Sequence, residues 1–285
     1  MTGKIETIAV IGAGTMGHGI AQVAAMSGYR VHLYDIKDEF TERGMSAIRA
    51  NLDKGIEKGK LTAEQRESAL GNLASGSDLA AAAAGADLVI EAIPEKLELK
   101  GALYTELAAI CPPGTIFASN TSSLSIAKLA ESSGRADRFI GMHFFNPVHI
   151  MKLLEIVIAE QTSPETLETC RAVAERLGKD AIVVKDFPGF ATSRLGVCLG
   201  LEAIRMVEQG VASPEDIDKA MELGYRHPMG PLRLTDLVGL DVRLGIADYL
   251  AEELKSDVFK APKLMRDMVA EGRLGKKSGR GFYDW

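Results

Sequence analysis

The chain has 285 residues, of which 46% are apolar and 25% are charged, a balance typical of a globular protein with a substantial core. Its formal net charge of −6 disfavours binding to nucleic acid through a generally basic surface, although a single cleft could still attract a small anion. Cys111, Cys170 and Cys198 are too few and too scattered for a disulfide framework or a zinc cluster, so we expect reduced thiols and no metal site.

The beginning of the chain predicts its location. The first six residues lead into an apolar run without the core of a signal peptide. No run approaches the roughly 20 apolar residues that cross a bilayer. We therefore expect a cytoplasmic protein without a membrane partner.

The first elements have the order strand, turn, helix and strand. Residues 5–11 are a short apolar run rich in β-branched side chains, typical of a strand buried on both faces. Residues 16–26 carry apolar side chains at helical spacing, and Gly28 is placed to end that helix. Residues 30–34 then form a second strand that leads to Asp35. This order predicts one βαβ unit.

Strands and helices continue to alternate as far as residue 185. Residues 38–70 predict two helices with a break at 59–62, where Thr62 and Gln65 are spaced for a capping box. The further predicted strands are 88–92, 115–119, 139–143, 153–158 and 181–185, and the further predicted helices are 95–110 and 164–177. Such alternation predicts a doubly wound, mostly parallel α/β sheet with helices on both faces.

The pattern changes near residue 187, after which strand signals disappear. Apolar residues recur at helical spacing as far as Gly210, and Ser213 followed by Pro214 is a strong helix start. Further helices are expected at 233–254 and 262–271. We therefore predict a dinucleotide-binding domain of the Rossmann type at residues 1–186 and a smaller, all-helical domain at 187–285.

A glycine-rich turn follows the first predicted strand and opens the first helix. Its expected cofactor-binding residues are Gly12, Gly14, Thr15, Met16 and Gly17. The glycines permit a tight turn, close approach of a pyrophosphate and close helix packing, and the helix N-terminus attracts phosphate. Asp35 ends the next strand, where a carboxylate binds the ribose hydroxyls of NAD and repels the 2′-phosphate of NADP. NAD is therefore favoured, although Lys37 softens the discrimination. A glycine turn beside a surface aspartate is the structural alternative.

Candidate chemistry lies in two segments that follow predicted strands. Oxidation of a secondary alcohol needs a base, a group that holds the base, and donors that orient the oxygen. Residues 119–123 (SNTSS) and 141–147 (GMHFFNP) offer such groups, and ligands of open α/β sheets bind beyond the carboxyl ends of the strands.

With these motifs the chain resembles the 3-hydroxyacyl-CoA dehydrogenase family, in particular its short-chain, single-function members. The resemblance spans essentially the whole sequence. Its most specific motifs are GAGTMG at 12–17, SNTSS at 119–123, MHFFNP at 142–147, HPMGPL at 227–232 and the terminal KKSGRGFYDW. It implies interconversion of an (S)-3-hydroxyacyl-CoA and its 3-keto form with NAD, by a homodimer that pairs through the helical domain.

The resemblance also implies roles for individual residues. His143 matches the family's acid–base histidine and Glu155 matches the carboxylate paired with it. Ser122 and Asn146 match residues that hydrogen-bond near the substrate's 3-oxygen and the nicotinamide. Positions that match nucleotide contacts are Glu95, Lys100 and Lys277, and positions that match coenzyme A contacts are Asn51 and Lys58. Ser193 departs from the family, which usually has Asn there, so substrate positioning or acyl preference could differ.

Two other functions remain open from the sequence. A related dehydrogenase could act on a free hydroxy acid or sugar acid by the same chemistry. A nucleotide-binding protein without catalytic activity could use the same scaffold, but it would have no need of the His143 and Glu155 pair. Each side chain also has a structural alternative, such as a core histidine at 143 or a buried ion pair at 155.

Overall fold

The computed structural model describes residues 4–285. The predictions for the start of the chain and of the first domain include residues 1–3, which lie outside the described residues. The chain forms two compact units that divide between Asp186 and Phe187. Among the described helices, none is long and apolar enough to cross a membrane.

The first unit is built on one sheet of eight strands. The strands are β1 (Thr7–Ile11), β2 (Arg30–Tyr34), β3 (Leu73–Gly76), β4 (Leu88–Glu91), β5 (Ile116–Ser119), β6 (Phe139–Phe144), β7 (Leu153–Ile158) and β8 (Asp180–Lys185). Their order is β3-β2-β1-β4-β5-β6-β7-β8. All neighbouring pairs are parallel except β6 and β7. Because the chain winds outward from β1 in both directions, the predicted doubly wound α/β class is confirmed.

Helices connect most of these strands. They are α1 (Gly17–Met26), α2 (Asp38–Glu57), α3 (Ala63–Gly71), α4 (Leu79–Ala83), α5 (Leu97–Ile110), α6 (Ile126–Ser133) and α7 (Pro164–Arg176). The capping box predicted for Thr62 and Gln65 is confirmed, because each side chain accepts a hydrogen bond from the backbone N–H of the other residue. The elements β3, α4 and α6 were not predicted.

The central strands are buried on both faces. Val10 on β1, Ile90 on β4 and Ala118 on β5 are all fully buried, as expected for apolar runs covered by helices on a parallel sheet. Because these strands run in the same direction, their carboxyl ends lie at one edge of the sheet. The segments that follow β1, β4, β5 and β6 therefore meet there.

The second unit is entirely helical within its described residues apart from short turns and bridges. Its helices are α8 (Thr192–Glu208), α9 (Pro214–Tyr225), α10 (Pro231–Val238), α11 (Leu240–Leu254) and α12 (Lys263–Ala270). The predicted start of α9 is confirmed, with Ser213 as the N-cap and Pro214 in the first turn. The prediction of a single helix at 233–254 is wrong, because Gly239, with φ of 107°, separates α10 from α11.

Candidate functional site

The glycine-rich turn after β1 has the geometry that its sequence predicts. Gly12 has φ of 103°, and a Cβ there would lie 2.7 Å from the carbonyl oxygen of Ala92, which follows β4. A Cβ on Gly17 would lie 1.6 Å from the carbonyl oxygen of Gly12, so α1 approaches the turn too closely for any side chain. At Gly14 a Cβ would meet no atom within 4 Å. The space above Gly14 is therefore open to a ligand.

The start of α1 suits a phosphate. No side chain caps the helix at Met16, so its first N–H groups and positive dipole end are not covered by a capping oxygen. Thr15 is exposed beside Gly14. An uncapped helix start next to an open glycine is the cradle that a pyrophosphate requires, so these residues fit a dinucleotide.

Asp35 is fixed beside this turn. Its Oδ2 accepts a hydrogen bond from the N–H of Ala13 at 2.8 Å, and its Oδ1 accepts one from the N–H of Ile36 at 2.8 Å. Each carboxylate oxygen can accept more than one hydrogen bond, so Asp35 can hold the turn and still accept from ribose hydroxyls. The Nζ of Lys37 lies 5.8 Å from the ring centroid of Phe40.

The imidazole of His143 and the carboxylate of Glu155 are in direct contact. Nδ1 of His143 lies 2.7 Å from Oε2 of Glu155, and the two residues are 7% and 0% exposed. A buried carboxylate at Nδ1 fixes the orientation of the ring and stabilises its protonated form. Nε2 is on the side of the ring away from Glu155, which is where a base would exchange a proton with a substrate. The ring also packs against that of Phe145 in a tilted arrangement, with centroids 4.4 Å apart.

The two motifs predicted to carry chemistry lie at the carboxyl ends of neighbouring strands. Oδ1 of Asn120, which follows β5, accepts a hydrogen bond from the N–H of Phe144 on β6 at 2.9 Å. Ser122 is half-buried, and its N–H donates to Oε1 of Glu95 at 2.9 Å. Asn146 is exposed two residues beyond the end of β6. The hydrogen bond of Asn120 ties the segment that holds Ser122 to the strand that holds His143.

Sequence reasoning missed a buried polar cluster behind Ser122. Glu91, the fully buried last residue of β4, accepts hydrogen bonds from Lys100 on α5 and from Ser119. Lys100 is only 1% exposed and also contacts Glu95, which lies before α5 rather than inside it as predicted. Burial and the charge of Glu91 hold the pKa of Tyr104 well above its usual value. An acid that ends an otherwise apolar strand was the available signal.

Lys58 is exposed at the end of α2, and its charge is one of those that act on His149. Burial lowers the pKa of His149, and the nearby charges of His18, Lys179 and Lys58 lower it further. The cations that act on His149 therefore include Lys58, although the chain as a whole is acidic. Such a cluster suits the phosphates of an anionic ligand.

Three other predicted contact residues have the following positions. Nδ2 of Asn51 donates a hydrogen bond to Oε1 of Gln22 at 3.1 Å, which links α2 to α1. Ser193 is half-buried in the first turn of α8. Nζ of Lys277 donates to Oδ2 of Asp241 at 2.6 Å. Ser193 and Lys277 belong to the helical unit, whereas Asn51 belongs to the sheet unit.

Comparison with known proteins gives matches over nearly the whole chain. Residues 7–187 match the profile of the 3-hydroxyacyl-CoA dehydrogenase NAD binding domain, and residues 189–285 match the C-terminal domain of the same family. The Bacillus subtilis protein named "Probable 3-hydroxybutyryl-CoA dehydrogenase" is 47% identical over 282 residues, which covers 99% of this chain and 98% of that protein. The Bradyrhizobium diazoefficiens 3-hydroxybutyryl-CoA dehydrogenase is 41% identical and covers 100% of this chain and 97% of its own. The crystal structure of (S)-3-hydroxybutyryl-CoA dehydrogenase from Ralstonia eutropha superposes with a TM-score of 0.95 at 43% identity, covering 99% of each chain.

Proposed function

Because this chain belongs to the 3-hydroxyacyl-CoA dehydrogenase family, we propose that it interconverts (S)-3-hydroxybutyryl-CoA and acetoacetyl-CoA with NAD. The observation that carries the proposal is the buried contact between His143 and Glu155 in the unit that matches the NAD binding domain. A protein that only bound nucleotide would gain nothing from this pair, since a buried imidazole and carboxylate cost desolvation energy.

The roles of the residues follow from this contact. In the oxidative direction, Nε2 of His143 removes the proton of the 3-hydroxyl group, and Glu155 stabilises the imidazolium that forms. NAD held at the glycine-rich turn would supply the acceptor for the hydride that leaves C3. Ser122 and Asn146 orient the oxygen as it becomes a carbonyl. In the reductive direction, His143 returns the proton to that oxygen.

Oxidation of NADH with acetoacetyl-CoA tests the proposal. We expect turnover by the wild-type protein and a loss of about a hundredfold or more in His143→Ala, with NADH binding retained. His32→Ala is the matched control, because His32 lies on β2 outside the proposed machinery; we expect it to keep activity. An active His143→Ala enzyme would refute the assigned role.

Two further substrates separate the alternatives. Free acetoacetate carries the same 3-keto group without the thioester, and turnover of this acid without inhibition by coenzyme A would favour a free-acid dehydrogenase. Absence of turnover across acyl lengths, with tight NADH binding, would favour a binding protein. NADPH in place of NADH measures how strictly Asp35 selects the cofactor.

Substrate contacts outside the acid–base pair are also part of the proposal. The cations around Lys58 suit the phosphates of coenzyme A, so Lys58→Ala should raise the KM for acetoacetyl-CoA, whereas the KM for NADH should change little. Ser193→Asn restores the side chain usual in the family and should alter substrate KM or kcat. An unchanged Ser193→Asn enzyme would mean that this position contacts nothing important.

We also propose a homodimer that pairs through the helical unit. Leu195, Leu223 and Tyr225 in this unit are between 71% and 76% exposed, and contact with a second copy would remove their apolar surface from water. Sedimentation equilibrium should give twice the chain mass of 30.5 kDa. A monomer would refute the proposal.

A cytoplasmic location stays a prediction.

A further inference from the structure

We infer that Glu91 is a positioning residue for the reaction, acting on Ser122 through Lys100 and Glu95. This inference rests on the proposed function and adds a residue behind the site that does not touch the substrate. It also gives Lys100 a task in addition to the direct nucleotide contact that the family resemblance implies.

Glu91 contacts three segments of the site: the turn that follows β4, the SNTSS motif and, through Lys100, helix α5. Its Oε1 accepts a hydrogen bond from the N–H of Ile93 at 2.7 Å, in the turn that contacts the dinucleotide-binding glycines. Its Oε2 accepts one from Oγ of Ser119 at 2.7 Å, at the start of the SNTSS motif. A fully buried carboxylate is retained only when such partners replace water.

Lys100 uses its donors within the protein. Nζ of Lys100 donates hydrogen bonds to Oε1 of Glu91 at 2.5 Å and to the carbonyl oxygen of Ile93 at 3.2 Å. It also forms an ion pair with Oε2 of Glu95 at 3.2 Å. The side chain is 1% exposed. Lys100 therefore joins the two carboxylates.

Glu95 connects Lys100 to the segment that contains Ser122. Its Oε1 accepts hydrogen bonds from Oγ1 of Thr121 at 2.5 Å and from the N–H of Ser122 at 2.9 Å. Lys100 contacts the other oxygen, Oε2. If the charge of Glu91 were removed, Glu95 would be the remaining carboxylate on Lys100 and would be drawn away from Ser122. Ser122 would then lose the orientation that it needs to hold the substrate oxygen.

A double-mutant cycle of Glu91→Gln and Ser122→Ala tests this route. With acetoacetyl-CoA and NADH, we expect Glu91→Gln alone to lower kcat about tenfold or more. In the Ser122→Ala background, the same change should lower kcat by less than about threefold, because residues that act through one another are not additive. A purely structural role of Glu91 would give equal losses in both backgrounds.

A milder variant and a control complete the experiment. Ser119→Ala removes one hydrogen bond from Glu91 and should show a smaller loss with the same lack of additivity, even if Glu91→Gln folds poorly. Asp87→Asn changes the carboxylate at the other end of β4, which accepts from the N–H groups of Glu6 and Thr7, and should keep wild-type kcat. Additive losses in an active enzyme would overturn this inference alone. An inactive wild type would overturn the proposed function and this inference with it.

Discussion

Glu155 on β7 lies directly opposite His143 on β6 in the antiparallel register of the two strands. Side chains at opposed positions of an antiparallel pair point to the same face with their Cβ atoms about 4.5–5.5 Å apart. The strand ladder therefore positions the imidazole and the carboxylate, and neither depends on a loop for its place. Two residues twelve positions apart along the chain are thus brought together by the backbone pairing of the sheet itself.

This contact predicts the effect of Glu155→Gln. A neutral amide cannot stabilise the imidazolium and can favour the wrong tautomer, so we expect kcat to fall by about a hundredfold or more. The NADH dissociation constant should change little, which fluorescence titration can measure. Glu160→Gln, on an exposed residue just beyond β7, is the control. A Glu155→Gln enzyme with wild-type kcat would contradict the acid–base assignment.

Substitutions at two glycines of the turn should affect different properties, stability at Gly17 and NADH binding at Gly14. Gly17→Ala places a methyl group 1.6 Å from the carbonyl oxygen of Gly12, so we expect a large loss of stability. Gly14→Ala meets no protein atom within 4 Å and should leave the thermal unfolding temperature nearly unchanged. Its methyl group would occupy the space of the pyrophosphate, so NADH binding should weaken. Equal NADH affinity in Gly14→Ala and wild type would place the phosphates elsewhere.

Asp35 has two tasks that two variants separate. Asp35→Asn keeps an oxygen that can accept from the N–H of Ala13 but loses the charge that repels the 2′-phosphate of NADP. We expect its preference for NADH over NADPH in kcat/KM to fall about tenfold, with a stable fold. Asp35→Ala also releases the turn, so NADH binding itself should weaken. If Asp35→Asn kept the wild-type preference, cofactor choice would lie outside this carboxylate.

The carboxyl-terminal segment depends on Asp236. This carboxylate, 1% exposed, accepts hydrogen bonds from the N–H groups of Phe282 and Tyr283 and from Nε1 of Trp285. In Asp236→Asn an amide NH2 group would face some of these donors, so we expect the free energy of unfolding in urea to fall by about 2–4 kcal/mol. Asp284→Asn, whose side chain is 92% exposed, should have almost no effect. Equal stability of both variants would contradict the prediction.

The buried thiols predict a loss of stability in alkali. Burial raises the pKa of Cys170 to about 12, above the ordinary thiol value of 9.0. The unfolded chain therefore releases this proton at a lower pH than the folded chain does. The contribution to stability is complete below the ordinary thiol pKa and is lost as pH rises toward the folded value. Urea midpoints should fall between about pH 9 and pH 12, and those of Cys170→Ala should fall less. An identical fall in Cys170→Ala would assign the effect to other groups.

Local signals in the sequence predicted much of this fold, and the failures have physical reasons. The capping residue Thr62 and the helix start at Ser213 depend on neighbours within three residues, and both are confirmed. The strand β3 was missed because Leu73 is the only large apolar residue in its sequence LASG, as an edge strand permits. The break at Gly239 was missed because the apolar spacing continues on both sides of it.

Part of the candidate site was also predicted from the sequence and part was not. His143 and Glu155 were paired through family resemblance, because no local pattern reports which strands lie side by side. The cluster around Glu91 escaped prediction because its hydrogen bonds join side chains from β4, β5 and α5, and these contacts exist only after the sheet has formed. Buried charges of this kind can be recognised in sequence only as an acid or a lysine among apolar neighbours.

The antiparallel pairing of β6 with β7 restricts the length of the segment that connects them. Side chains alternate between the two faces of a strand, so a slip of β7 by one position would bring Leu154 or Ile156 opposite His143 and turn Glu155 to the other face. Insertions or deletions in the intervening segment 145–152 would thus be compatible with the proposed proton transfer only if the turn absorbs them completely. We therefore expect activity to be more sensitive to length changes in this segment than to most substitutions within it.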